Sequence, residues 1–249
     1  MHTTNRLRLV LASASPARRK LLQAAGIEPD VLVSGVDESQ VDPSTPEVLS
    51  LTLAQLKARA VAERIASAGT GAGAIDEIGN NAAEPRTLVL GCDSVLAFDG
   101  EILGKPADAD EATRRWQVMR GKSGVLHTGH CLIDLSNGRE VARVAGTAVY
   151  FAEITDEEIA AYVATGEPLQ VAGAFTIDGL GGPFVDRVDG DPGAVIGLSL
   201  PLFRHMLGDL DLLITDLWAA RTTPFDAART TPFGADAGTA ATSAATDPH

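Results

Sequence analysis

The residue types that invite chemistry first are an acid, Asp93, and a lysine, Lys105, on either side of an Asp99-Gly100 dipeptide in the run VLGCDSVLAFDGEILGKP. Asp-Gly is a preferred two-residue hairpin turn, and the continuous apolar Leu88-Val89-Leu90 ahead of it reads as a strand covered on both faces. Such a hairpin brings Asp93 and Lys105 toward one end. A carboxylate there can bind a divalent cation or take a proton from water, and a lysine ammonium can neutralise a phosphate oxygen. Taken alone, the pair is equally well a surface salt bridge at a strand end.

Four further groups bear on the same chemistry. In Ser13-Ala14-Ser15-Pro16-Ala17-Arg18-Arg19, two hydroxyls and unpaired backbone N–H groups meet at a helix start with arginine in the first turn, an anion cradle by geometry. The plainer reading makes Ser15 an N-cap and leaves the arginines solvated. Asp37-Glu38 in GVDES can supply a metal carboxylate or can simply be solvated, and Lys57 on a long helix is equally ambiguous. His127 and His130 lie three apart on an expected strand, so they point to opposite faces and should not share a metal. Ser94 has no G-x-S-x-G elbow around it, and the chain has no Walker loop, so neither a serine nucleophile nor a P-loop is expected.

Alternating elements should position these groups. Leu7–Leu11 reads as a strand, Ala17–Ala25 as a helix stopped by Gly26, and Val31–Val33 as a short strand. A helix is expected from about Glu47 to Ala66. Asp108–Arg120 reads as a helix with Asp108 as N-cap, and HTGHCLIDL with REVARVAGTAVYFAEI reads as a hairpin about Asn137-Gly138. Thr155 and Glu158 form a capping box for a helix reaching Thr165, and Gly166 closes it. Val171–Asp191 carries too many glycines for a regular element and suits close backbone approach around a ligand. Leu198–Leu213 returns to an apolar helical pattern. The aperiodic Gly, Ala and Asn-rich stretch Ser67–Pro85 is expected to be a mobile insertion, and the tail from Ala219, with its repeated ARTTPF, to be disordered.

Composition narrows the classes. A chain of 249 residues can bury a sizeable core, and its two cysteines, Cys92 and Cys131, sit in strand-like sequence and suggest a reducing compartment, hence the cytoplasm. The N-terminal apolar stretch is shorter than a signal-peptide core. No run approaches the roughly 20 residues of a membrane span, so no membrane partner is expected. A formal net charge of −13 disfavours nonspecific binding to duplex nucleic acid while leaving room for a local basic pocket.

Seven ordered blocks then assemble: LASASPARRKLL, GVDES, LTLAQLKARAVA, GCDSV with GKP, MRGKSGVLHTGHCLI, GEPLQVAGAFTIDGLGGPFV and VDGDPGAVIGLSL. Together, from about Leu7 to Leu213, they resemble the Maf family of nucleoside triphosphate pyrophosphatases, also called septum formation inhibitor proteins. The resemblance implies an α/β fold, an elongated mixed sheet flanked by helices with a cleft between two lobes, over residues 1–218, with the insertion at 67–86 and the tail at 219–249. It also implies a homodimer that hydrolyses nucleoside triphosphates to the monophosphate and pyrophosphate with Mg²⁺ or Mn²⁺. Asp93 matches the family's proton acceptor. Ser13, Arg18, Glu38, Lys57 and Lys105 match polar positions of its phosphate and metal site, with Ser15 beside them and Glu38 and Asp93 as the metal carboxylates. The implied mechanism has Asp93 deprotonating a metal-associated water that attacks the α-phosphorus, while Lys105, Lys57 and Arg18 hold the departing pyrophosphate. The glycine-rich Ala172–Gly182 loop would border the nucleoside.

Three positions bear on base choice. Pyrimidine-selective members carry an arginine where this chain has Ala17, threonine or serine where it has Ser94, and glutamine where it has Asp178. The subgroup acting on 7-methyl-GTP has an acid near Asp178 but a bulky residue at the Ala17 position. An acidic Asp178 could accept from a base donor edge or attract a cationic modified base. The rival expectation is a nucleotide-binding regulator of septum formation acting through a protein partner, and a weaker third is a phosphomonoester hydrolase with the same charge logic.

Overall fold

The computed structural model describes residues 7–38, 41, 45–69 and 86–218. Strand β1 (Leu7–Leu11) leads through helix α1 (Pro16–Ala24) to β2 (Asp30–Val31) and the long helix α2 (Pro46–Gly69). Strand β3 (Arg86–Phe98) turns into β4 (Glu101–Leu103), and α3 (Ala109–Met119) precedes the hairpin β5 (Ser123–Asp134) and β6 (Glu140–Phe151). Helix α4 (Asp156–Ala164) and several single-turn helices lead to β7 (Val185–Asp189), α5 (Pro192–Ile196) and α6 (Leu200–Asp209).

The strands form one mixed seven-stranded sheet in the order β2-β1-β3-β5-β6-β7, with β4 added to β3. β1 runs parallel to β2 and β3, and the remaining pairs are antiparallel. With helices against its faces, this is the expected α/β class.

Strand β3 organises the interior. Leu88, Leu90 and Cys92 pack with Leu22 of α1 and Phe203 and Met206 of α6, while Val89 packs on Ala54, Ala58 and Val61 of α2. Farther along, Leu96 and Phe98 enter a second core with Trp116, Phe151, Tyr162 and Phe175. Asp93 and Ser94 therefore lie where the strand passes from one core to the other. Each fully buried large apolar side chain contributes about 1.5–3 kcal/mol relative to exposure, so both ends of β3 are firmly held.

Helix α2 rests on the sheet backbone itself. A Cβ at Gly91 would lie 2.3 Å from the Ala54 carbonyl oxygen, and one at Gly129 would lie 2.2 Å from that of Ser50. Only glycine admits so close an approach, which sets the height of α2 above β3.

Local signals held where their chemistry is local. Asp99 (φ 50) and Gly100 (φ 83) make the tight turn, Asp108 caps α3 by accepting from the Glu111 N–H, and Thr155 with Glu158 forms the capping box of α4. Several boundaries differ. The short second strand is Asp30–Val31, and α2 runs on to Gly69, so Ser67–Gly69 are helical and Arg86 already belongs to β3; the remainder of the expected insertion, 70–85, and the tail from 219 lie outside the described residues. The segment Val171–Asp191 does hold a regular element, β7, because its glycines bunch before Pro183 and leave Val185–Asp189 free to pair with β6. The last helix ends at Asp209, and Asp211 takes a left-handed conformation (φ 59) that breaks the pattern expected to reach Leu213. Cys92 and Cys131 are free, buried and packed in different cores. Among the described residues no helix is long and apolar enough to cross a membrane.

Candidate active site

One edge of β3 is interrupted. β1 pairs with it as far as Leu90, the Ala12 N–H adds a bond to the Leu90 oxygen at 2.8 Å, and β4 takes up the same edge only from Leu96. Among the described residues no strand covers Gly91–Val95 there, while β5 pairs continuously along the other edge. The opening lies beyond the carboxyl end of β1, the position at which α/β sheets commonly receive ligands. The Ala12–Ser15 loop leaves β1 on one side, and Gly104-Lys105 leaves β4 on the other.

Residues alternate across a strand, so Asp93 and Ser94 serve opposite faces of this gap. On the α2 face, Lys57 donates to the Asp93 carboxylate and pairs with Glu38 at 2.6 Å. Asp93 and Lys57 are buried, whereas the Glu38 side chain is 56% exposed. Burial pushes the Asp93 carboxyl up, opposed by the charges of Lys57 and Arg18. Two carboxylates thus converge on one cation at the mouth of the gap.

On the other face, Arg18 projects inward from the first turn of α1. Its Nε donates to the Gly197 carbonyl at 2.8 Å, one terminal nitrogen to Ser13 Oγ at 3.0 Å and the other to Ser94 Oγ at 3.2 Å. Arg18 is buried, and no carboxylate of the described residues is in ion-pair contact with it. A guanidinium has five N–H donors, so two remain for an incoming anion. Ser94 is not poised as a nucleophile. Thr128 donates its hydroxyl proton to the Ala194 carbonyl (2.8 Å), so Ser94 must donate to Thr128 (2.9 Å) while accepting from Arg18. Nearby, His130 Nδ1 donates to the Thr128 carbonyl and Nε2 accepts from the Ser199 N–H. Burial, followed by the charge of Arg18, lowers His130 to about 4, and it is neutral.

The structure thus brings Ser13, Arg18, Ser94, Asp93, Lys57 and Glu38 to one place. Ser15 is the N-cap of α1, accepting from the Arg18 N–H and so fixing the turn that aims Arg18; Arg19 is solvated against Glu28. The plainer reading of this loop therefore holds for Ser15 and Arg19, while Arg18 is buried rather than solvated. The partner of Asp93 is Lys57 rather than Lys105. Lys105 lies in the bend just after β4, whose pairing with β3 ends at Leu96 and Leu103, and it is exposed with no polar partner among the described residues. Ala17 is partly buried on α1, and Asp178 stands exposed on the glycine-rich loop, held by the Thr176 hydroxyl. His127 and His130 sit apart as expected. Sequence reasoning missed Thr128 and the spacers Gly91 and Gly129; paired glycines in otherwise apolar strands beside an alanine-rich helix are the available signal for the spacers.

The family described as Maf-like protein matches residues 8–210, a span that contains every group of this array. The chain belongs to the Maf family. Among curated Maf relatives, the nucleoside triphosphate pyrophosphatase of Salinispora tropica is 62% identical over 217 residues, covering 87% of this chain and 90% of that protein. The protein of the same name from Streptomyces coelicolor is 56% identical over 214 residues, 86% of this chain and 96% of its own length. A third, from Nostoc punctiforme, is 52% identical over 209 residues, 84% and 96% of the two chains.

Proposed function

We propose that this Maf protein hydrolyses nucleoside triphosphates to the monophosphate and pyrophosphate at the gap in the β3 edge. The observation that carries the reading is Arg18, a buried cation with no carboxylate partner among the described residues, across the strand from a buried carboxylate. Desolvating an arginine without a counter-anion is costly, and a bound polyphosphate offsets that cost. Activity of the named relatives supports the same reading.

Each residue then has a role. Ser13 and Ser94 hold Arg18 so that its two spare N–H groups meet phosphate oxygens, and Lys105 supplies an exposed cation from the other border of the gap. Asp93 orients the attacking water and takes its proton. Burial raises its basicity, and the charges of Lys57 and Arg18 oppose that rise. Attack at the α-phosphorus expels pyrophosphate, whose charge is held by Arg18, Lys57 and Lys105.

The divalent cation implied by the family fits this donor set. Glu38 and Asp93 are hard oxygen ligands already gathered about one positive charge, and Mg²⁺ is characteristically held by one or two carboxylates together with substrate phosphates. No group of three or more His, Cys, Asp or Glu side chains placed to hold a metal occurs among the described residues. When bound, Mg²⁺ or Mn²⁺ would supply charge neutralisation at the phosphates and acidify water. Asp178 would face the base as an acceptor for donor edges or cationic modified bases. A cytoplasmic homodimer is part of the same reading, and sedimentation of the purified chain checks the dimer.

The test is pyrophosphate release with Mg²⁺ from common and methylated nucleoside triphosphates, on the native chain and on Asp93→Asn. The expected result is turnover that falls by about 10² or more in the variant, the usual loss with a general base. Nucleotide binding without turnover would favour the regulatory protein instead, and inorganic phosphate as product would favour a phosphomonoester hydrolase.

A further inference from the structure

Glu167 follows Gly166, whose left-handed backbone (φ 75) ends α4. Its carboxylate is committed to one loop. Oε1 accepts from the Tyr162 hydroxyl at 2.9 Å and from the Gly181 N–H at 3.0 Å, and Oε2 accepts from the Leu180 N–H at 3.0 Å. The neighbouring glycines are there to admit it. A Cβ at Gly179 would lie 2.3 Å from Glu167 Oε2, and one at Gly181 would lie 2.3 Å from the Tyr162 hydroxyl. A solvated surface acid has no need of two backbone amides, a buried tyrosine hydroxyl and two side-chain-free neighbours.

The other end of the loop is tied to the border of the gap. The Gly173 N–H donates to the Gly104 carbonyl at 3.0 Å, next to Lys105, and Trp116 Nε1 donates to the Ala174 carbonyl at 2.8 Å. Between these anchors Thr176 donates its hydroxyl to the Asp178 carboxylate, which stands exposed. The loop therefore has two fixed ends and one presented acid. Of its anchors only Glu167 brings a carboxylate, and carboxylate bonds to backbone N–H groups are the stronger kind.

We propose that Glu167 is a positioning residue for base selection, its carboxylate setting the Thr176–Gly182 loop and with it the place of Asp178. The proposal rests on the reading of Asp178 as the base-facing group. In Glu167→Gln the side-chain amide keeps one acceptor and turns an NH₂ toward a backbone N–H. One of the Leu180 and Gly181 amides then loses its partner, the other keeps a bond without charge assistance, and Asp178 loses its fixed position.

Two readouts test this on the full chain. Hydrogen exchange should quicken at the Leu180 and Gly181 amides by on the order of ten-fold in Glu167→Gln, with β3 and β5 unchanged, as expected of a local opening. The ratio of kcat/KM between the best and poorest nucleoside triphosphate should shrink to that of Asp178→Asn, through KM more than kcat. A uniform loss of kcat/KM with the ratio preserved, or unchanged exchange at those two amides, overturns the proposal. Should Glu167→Gln fail to fold, Tyr162→Phe removes one donor, keeps the ring packing, and carries both readouts at smaller amplitude. If the native chain releases no pyrophosphate, the proposed function fails by itself. Exchange then decides the clamp, unchanged rates sinking it and selective acceleration supporting it.

Discussion

Lys57 is shared by two carboxylates of unlike exposure, so the cost of losing it falls on Asp93, the buried one. Lys57→Met should lower stability by about 3 kcal/mol in urea unfolding, because it strands a buried charge. Adding Asp93→Asn should recover most of that loss, since the two changes remove one interaction; additive losses would show the pair to be uncoupled. His130 titrates in the opposite sense. Its folded-state value is about 4 against an ordinary 6.5, so between those values the unfolded chain binds the extra proton. Stability should therefore be flat above about pH 6.5 and decline by about 3 kcal/mol as pH falls toward 4, and this part of the profile should flatten in His130→Gln. An identical slope in both chains would exclude His130 as its source. At this scale the sequence pointed to Asp93 and Arg18, because acid after an apolar strand and arginine in a helix's first turn are anomalies of type and place. It did not reveal that Lys57, 36 residues away, pairs with Asp93. That contact depends on which face of β3 the acid occupies and how α2 is turned on the sheet, and neither is a local property.

The elements hold the site through backbone proximity as much as through side chains. Gly91→Ala and Gly129→Ala should each cost about 3 kcal/mol or more in urea unfolding, since the added methyl meets helix backbone that cannot rotate away. Gly104→Ala has nothing within 4 Å and should change stability by less than about 0.5 kcal/mol. Equal effects at all three would mean that α2 is not seated on the sheet in this way. The hairpin at Asp99-Gly100 and the caps at Asp108 and Thr155 were legible because two to four adjacent residues determine them. β7 was hidden by its glycine-rich flank, and the end of α2 by a run of small residues that continues the helix without periodic apolar marks.

At the largest scale, β3 joins two cores, and among the described residues no strand covers one of its edges between β1 and β4. The α/β class could be read from alternating patterns and from the ordered family blocks. The gap could not, because it follows from strand order and register rather than from any segment. The carboxyl end of the described chain also belongs to this body: Leu217 is 8% exposed, and a Cβ at Gly26 would touch the Trp218 ring at 3.5 Å. A chain ending at Leu213 should be less stable than one ending at Ala219 by about 2 kcal/mol, the worth of one large apolar side chain in urea unfolding. Equal stability would remove these residues from the core. The central claim is that water activated by Asp93 attacks the α-phosphorus in the gap, and the most direct measurement is hydrolysis of a nucleoside triphosphate in water enriched in heavy oxygen, with mass analysis of both products. The account predicts label in the nucleoside monophosphate and none in pyrophosphate, lost together with turnover in Asp93→Asn. Label in pyrophosphate, or a labelled inorganic phosphate in its place, would contradict it.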